Sequence, residues 1–107
     1  MQPHELSLAQ AAQDIREGRL KSAELARDCL DRVKAVDGEV QAWAFLDPEH
    51  VMRQAEELDR RRAAGKPTGP LHGVPIGIKD IFDTGDYPTE CGSPIHAGRT
   101  PRRDAAC

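Results

Sequence analysis

Lys79 stands in the run Val74-Pro75-Ile76-Gly77-Ile78-Lys79-Asp80-Ile81-Phe82, where Asp80 is the only other charged residue. A lysine amine acts as a base only when neutral, and apolar burial favours the neutral form. In an extended chain Gly77 shares a face with Lys79. Its missing side chain would let a substrate or another backbone approach closely. That pairing suits proton abstraction beside a tightly held substrate. The plainer reading is a lysine reaching water from a half-exposed strand, the ordinary fate of this residue type.

Other residues that could do chemistry fare less well. Gly69, Gly73, Gly77 and Lys79 suggest a phosphate loop, but the adjacent Gly-Lys pair and the magnesium-holding Ser/Thr are absent. His72, Cys91, His96 and Cys107 could be imagined as zinc ligands, yet their spacing matches no close ligand pair, and structural or surface roles fit better. Cys91 with His96 could suggest a thiol and its base, but such pairs meet in the fold, not in sequence. Ser7, Ser22 and Ser93 are the only serines. Ser7 and Ser22 read as helix caps. Arg60-Arg61-Arg62 reads as a solvated helix end, offset by Glu56, Glu57 and Asp59. Arg99, Arg102 and Arg103 form a second small cluster, read as a solvated loop.

The elements that must position these residues fall into two stretches. Residues 1–66 read as mainly helical. Ser7-Leu8-Ala9-Gln10 has the pattern of a capping box, with Leu8, Ala12 and Ile15 following at helical spacing and Gly18 as a stop. A second helix opens at Ser22, carries Leu25, Cys29, Val33 and Val36 as one apolar stripe, and ends near Asp37-Gly38. Val40 to Leu46 reads as a short strand. Asp47-Pro48 starts a third helix, with Asp as cap and Pro in the first turn, running to Ala64 and stopped by Gly65. Glu56/Arg60 and Glu57/Arg61 are spaced for ion pairs along it.

Residues 67–107 change character to a Gly/Pro-rich strand and loop segment. Positions 74–82 read as a strand, and after Thr84-Gly85-Asp86 the chain is loop-like as far as Arg103. Asp104-Ala105-Ala106 reads as a helix opening capped by Asp104, cut short at Cys107, as if the chain were interrupted.

Composition narrows the class. The chain has 107 residues, enough for one domain, and a net charge of −3 that disfavours a generic nucleic-acid binder. No apolar run approaches a membrane span, and no secretory signal opens the chain. Three scattered cysteines form no disulfide framework, which points to the cytoplasm.

The run Gly69-Pro70-Leu71-His72-Gly73-Val74-Pro75-Ile76-Gly77-Ile78-Lys79-Asp80, followed by Thr89-Glu90-Cys91-Gly92-Ser93, resembles the amidase signature family. The upstream order of helix, helix, strand and helix is similar too. The resemblance implies an α/β fold: N-terminal helices plus the first strands of a large mixed sheet, incomplete as it stands. It makes 1–107 the N-terminal part of an amidase-signature domain. It implies hydrolysis of a carbon–nitrogen bond in an amide by a Ser–cis-Ser–Lys triad, with no metal or organic cofactor. Lys79 takes the place of the general base. The Gly-Ser-rich stretch carrying the cis-serine, and the nucleophilic serine beyond it, have no counterpart here. Ser93 matches the Gly-Ser that follows the lysine strand and is not read as the nucleophile. The chain alone is therefore expected to be inactive.

Within that resemblance, Asp80–Glu90 and Pro94–Gly98 look more like stand-alone bacterial amidases than the glutaminase subunit of a tRNA-dependent amidotransferase, which is the alternative. A third reading is a non-catalytic remnant that binds a partner. The implied partners are a small-molecule amide substrate in the complete enzyme, no nucleic acid and no membrane, with a homodimer or a missing C-terminal portion left open.

Overall fold

In the computed structural model, which describes residues 1–107, helix α1 (Leu8–Arg16) begins where Ser7 Oγ accepts a hydrogen bond from the Gln10 amide at 3.2 Å. Only that half of the expected capping box forms. The Gln10 side chain donates instead to Asp14, one turn on. Gly18 is left-handed at φ 81°, and the Arg19 and Leu20 amides fold back onto the Asp14 carbonyl to end the helix.

Helix α2 (Ser22–Val40) runs past the expected stop at Gly38. The Asp37 carbonyl accepts from the Gln41 amide and its carboxylate from the Ala42 amide, so the helix closes around Asp37 rather than breaking at the glycine. A glycine inside a helix costs only about 1 kcal/mol. Helix α3 (Pro48–Ala63) starts as expected, with the Asp47 carboxylate accepting from the His50 amide. Along it Glu57 pairs with Arg60, one residue closer than the expected spacing.

The chain divides into two compact units. The first comprises Met1–Ala42 and Asp47–Pro75 and holds all three helices. Its core is Ala11, Ile15 and Leu25, with Leu6, Leu20, Cys29 and Val74 packed around it. Burying Ile15 and Leu25 stabilises the unit by about 1.5–3 kcal/mol each. The apolar stripe of α2 is buried at Leu25 and opens toward solvent at Val33 and Val36. Asp59 of α3 reaches across to α2: its carboxylate accepts from the Ser22 amide at 2.7 Å and the Ala23 amide at 2.9 Å. These donors have no acceptor inside their own helix.

The second unit comprises Trp43–Leu46 and Ile76–Cys107. Beyond a single 3-10 turn at Pro94–His96 it contains no regular element. None of the buried core hydrophobics lies in it, whereas Ile76, Ile78, Ile81 and Phe82 are exposed. Polar contacts organise it. Arg99 grips Asp83 through two hydrogen bonds, and the Arg99 carbonyl accepts from the Thr89 amide. Thr89 is buried, and its hydroxyl donates to the Phe82 carbonyl. Phe45 meets Tyr87 edge to face at 5.3 Å.

Two expected strands are therefore corrected. Val40 belongs to α2, residues 41–47 are irregular, and 74–82 forms no ladder. The mixed sheet of the α/β expectation is absent from this chain, which is helical without strands. A strand exists only by pairing its amides and carbonyls with a neighbour. The expected helix at Asp104 is also absent. Asp104 accepts from the Gly85 amide, and the Ala105 amide donates to the Asp83 carbonyl.

Candidate functional site

The glycine-rich motif begins in the first unit as a tight turn. The His72 amide donates to the Gly69 carbonyl and the Val74 amide to the Leu71 carbonyl. Gly73 lies at φ 82°, and a side chain there would meet Ser22 Cβ at 3.0 Å. Both constraints demand glycine. The buried Ser22 hydroxyl donates to the Gly73 carbonyl at 2.6 Å, tying the motif to the start of α2. His72 adds a second tie, its Nε2 lying 2.9 Å from the Leu58 carbonyl of α3.

From Ile76 the motif belongs to the second unit. Gly77 lies under the Trp43 ring: a Cβ built there would sit 3.0 Å from its Cη2 atom. The close approach anticipated at Gly77 is thus filled by a side chain of this chain. Lys79 is exposed outside any regular element, and its carbonyl accepts from the Phe82 amide, opening a turn. As it stands, Lys79 matches the plain reading of a solvated lysine.

Asp80 is more engaged than its neighbour. Its carboxylate accepts from the Glu90 amide at 2.9 Å and the Gly92 amide at 3.3 Å, while its carbonyl accepts from the Cys91 amide at 2.9 Å. The Thr89–Ser93 half of the motif is thereby fastened to the residue after Lys79.

The three serines have structural work. Ser7 caps α1. Ser93 accepts from the Ile95 amide at the 3-10 turn. Ser22 is not the cap that its place in the sequence suggested: it is the first residue of α2, after Lys21, and the acceptor for its amide is Asp59. No hydrogen bond joins a serine to Lys79, so the nucleophile–base contact needed for acyl transfer is not made within these residues. No group of three or more His, Cys, Asp or Glu side chains gathers as a metal site.

Sequence reading missed Asp59, Asp80 and Thr89 as organising residues. The Asp in the motif was the one available signal. Electrostatics favour the charged forms where ion pairs close. The Arg99 guanidinium holds Asp83 below the usual carboxylate range, and Asp83 in turn raises Arg99. The His4 amide, and then its ring, do the same to Asp28. Burial pushes the Cys29 thiol up, with the Asp28 charge adding to it.

Comparison with known proteins gives this motif its context. The Amidase family model matches residues 24–107. A glutamyl-tRNA(Gln) amidotransferase subunit of Salinispora arenicola is 43% identical over 100 residues, covering 94% of this chain and 20% of that protein. The subunit of the same name from Geobacter sp. strain M21 is 39% identical over 104 residues, covering 97% of this chain and 21% of the relative. A solved structure described as an inhibitor-bound vestigial protein complex, bearing on the origins of an s-triazine catabolic enzyme, superposes with a TM-score of 0.87. It is 29% identical and covers 94% of this chain and 22% of its own. The chain spans about a fifth of the length of the curated relatives it matches. No helix is long and apolar enough to cross a membrane. Matched by the family model from Glu24 to Cys107, and similar along nearly its whole length to proteins several times longer, the chain belongs to the Amidase family.

Proposed function

We propose that this segment supplies the general base of a carbon–nitrogen hydrolase, with Lys79 as the residue that accepts the proton. The motif from Gly69 to Asp80 carries the reading, supported by membership of the Amidase family. In the complete enzyme the segment would be the N-terminal part of one amidase-signature domain. Residues Ile76–Lys79, irregular in this structure, would pair there as strand in the mixed sheet. Lys79 would act through a cis-serine on a nucleophilic serine, both supplied by polypeptide outside these residues. An acyl-enzyme would form, ammonia or an amine would leave, and water would release the acid.

Two substrate readings share this chemistry. The stretches Asp80–Glu90 and Pro94–Gly98 favour a stand-alone amidase acting on small amides. The relatives named as glutamyl-tRNA(Gln) amidotransferase subunits favour a glutaminase that feeds ammonia to a partner enzyme. The experiment is an ammonia-release assay on the complete amidase-family polypeptide carrying this segment, offered small linear amides and glutamine in turn. Turnover of either amide supports the hydrolase, and the preferred one selects between the readings. The 107-residue chain alone is expected to release no more ammonia than its Lys79→Ala variant. Turnover by the chain alone above that control, or none by the complete polypeptide on any amide, overturns the proposal.

A further inference from the structure

Residues 90–92 present three consecutive backbone donors, all of them used. Cys91 at φ 54° and Gly92 at φ 65° are consecutive left-handed residues. Successive N–H groups in such a turn converge on one side and favour an anion there. In this chain all three donors converge on one residue, Asp80: amides 90 and 92 on its carboxylate, and amide 91 on its carbonyl. Two of the three amides thus meet the protein's own anion, brought in from ten residues upstream, and the third meets the neutral carbonyl of the same residue. The Ser93 amide then donates to the Glu90 carbonyl, closing the turn from within, and the Glu90 carboxylate accepts from the Gly98 amide.

The geometry points to Asp80 as a positioning residue. It clamps the loop Glu90–Gly92 to the backbone beside Lys79 and so fixes that backbone from one side, while Trp43 rests on Gly77 two residues before the lysine. Asp80 touches no reacting atom. Its effect on catalysis rests on the reading of Lys79 as base, whereas its effect on the loop does not. A carboxylate suits the task because its two oxygens accept two amides at once and its charge matches the donor array. An asparagine offers one acceptor oxygen and an alanine offers none.

Two readouts separate the structural claim from the catalytic one. Amide hydrogen exchange on the 107-residue chain is followed at Glu90 and Gly92, with the α1 amides as internal reference. Asp80→Ala is expected to speed exchange at both loop amides by about tenfold or more, with α1 unchanged, as expected for local opening. The isosteric Asp80→Asn is expected to fall between, and it carries the test should Asp80→Ala fail to fold. Unchanged exchange at Glu90 and Gly92 with α1 still protected overturns the clamp.

In the complete polypeptide, Asp80→Ala is expected to lower kcat by about 10- to 100-fold, the usual cost of a small misplacement of a reacting group. KM should stay within about threefold, with Asp80→Asn recovering part of the loss. Unchanged kcat beside an inactive Lys79→Ala variant overturns the positioning role. Full activity in Lys79→Ala overturns the base assignment instead, and the exchange data still decide whether Asp80 holds the loop.

Discussion

Replacing Asp59 by alanine removes the cap of a helix that has none of its own. The residue before α2 is Lys21, whose side chain cannot accept a hydrogen bond, and the only local help is Glu24 accepting from the Lys21 amide at 3.3 Å. The Ser22 and Ala23 amides depend on Asp59, at 2.7 and 2.9 Å. Ser22 is 1% exposed, so water has little access to its orphaned amide. A buried donor left unpaired costs about 1–3 kcal/mol, and loss of an N-cap typically costs about 1 kcal/mol. The removed negative charge also faced the positive end of α2, which contributes about 0.3–1 kcal/mol. These effects overlap, so the expected loss for Asp59→Ala is about 2–4 kcal/mol. Asp59→Asn keeps one acceptor and should lose about half of that. Urea unfolding followed by circular dichroism at the helix band reads the difference as a shifted midpoint at constant slope. A loss below about 0.5 kcal/mol for Asp59→Ala, the range of an ordinary surface substitution, would refute the reasoning.

Three further outcomes follow from the same contacts. Gly77→Ala should displace the Trp43 ring, because the new methyl would lie 3.0 Å from it; the single tryptophan's emission should shift to the red, and an unchanged spectrum would contradict the packing. The stability difference between the native chain and Asp28→Asn should be full above the unfolded aspartate pKa of about 4 and shrink as pH falls through the depressed folded value, because a carboxylate lowered on folding stabilises only while ionised. Denaturation series from about pH 6 to about pH 2 test this, and a constant difference would count against it. A thiol reagent should modify exposed Cys91 and Cys107 at least about tenfold faster than Cys29, whose thiol is partly buried and shifted up. Equal native rates by mass spectrometry would contradict the packing of Cys29 against the core.

The helices were legible because their signals are local. Ser7 and Asp47 lie three residues before the amides they cap, and the apolar spacing of Ile15 and Leu25 states which face is buried. The misread caps share one cause. Ser22 looked like a cap, but the acceptor for its amide lies 37 residues away in α3. Asp104 looked like a cap, but its partner is Gly85, 19 residues upstream. Composition and spacing do not encode which distant amide a carboxylate will meet. The strands failed for a different reason: alternating apolar residues at 74–82 describe only one strand's pattern, whereas a strand exists only where a neighbour pairs with it, and none does so in this structure. Lys79 was legible only through its motif. Lys79 is exposed in this chain, and the Asp80 carboxylate beside it accepts from the Glu90 amide.

The measurement closest to the central claim is the turnover of the complete amidase-family polypeptide with Lys79 changed to alanine, assayed with and without an exogenous primary amine. If Lys79 is the general base, kcat should fall by about 10²–10⁴-fold, and a small amine diffusing into the vacated space should restore part of it. An unchanged kcat would contradict the assignment. So would a loss that no amine rescues although the variant is folded and binds substrate normally.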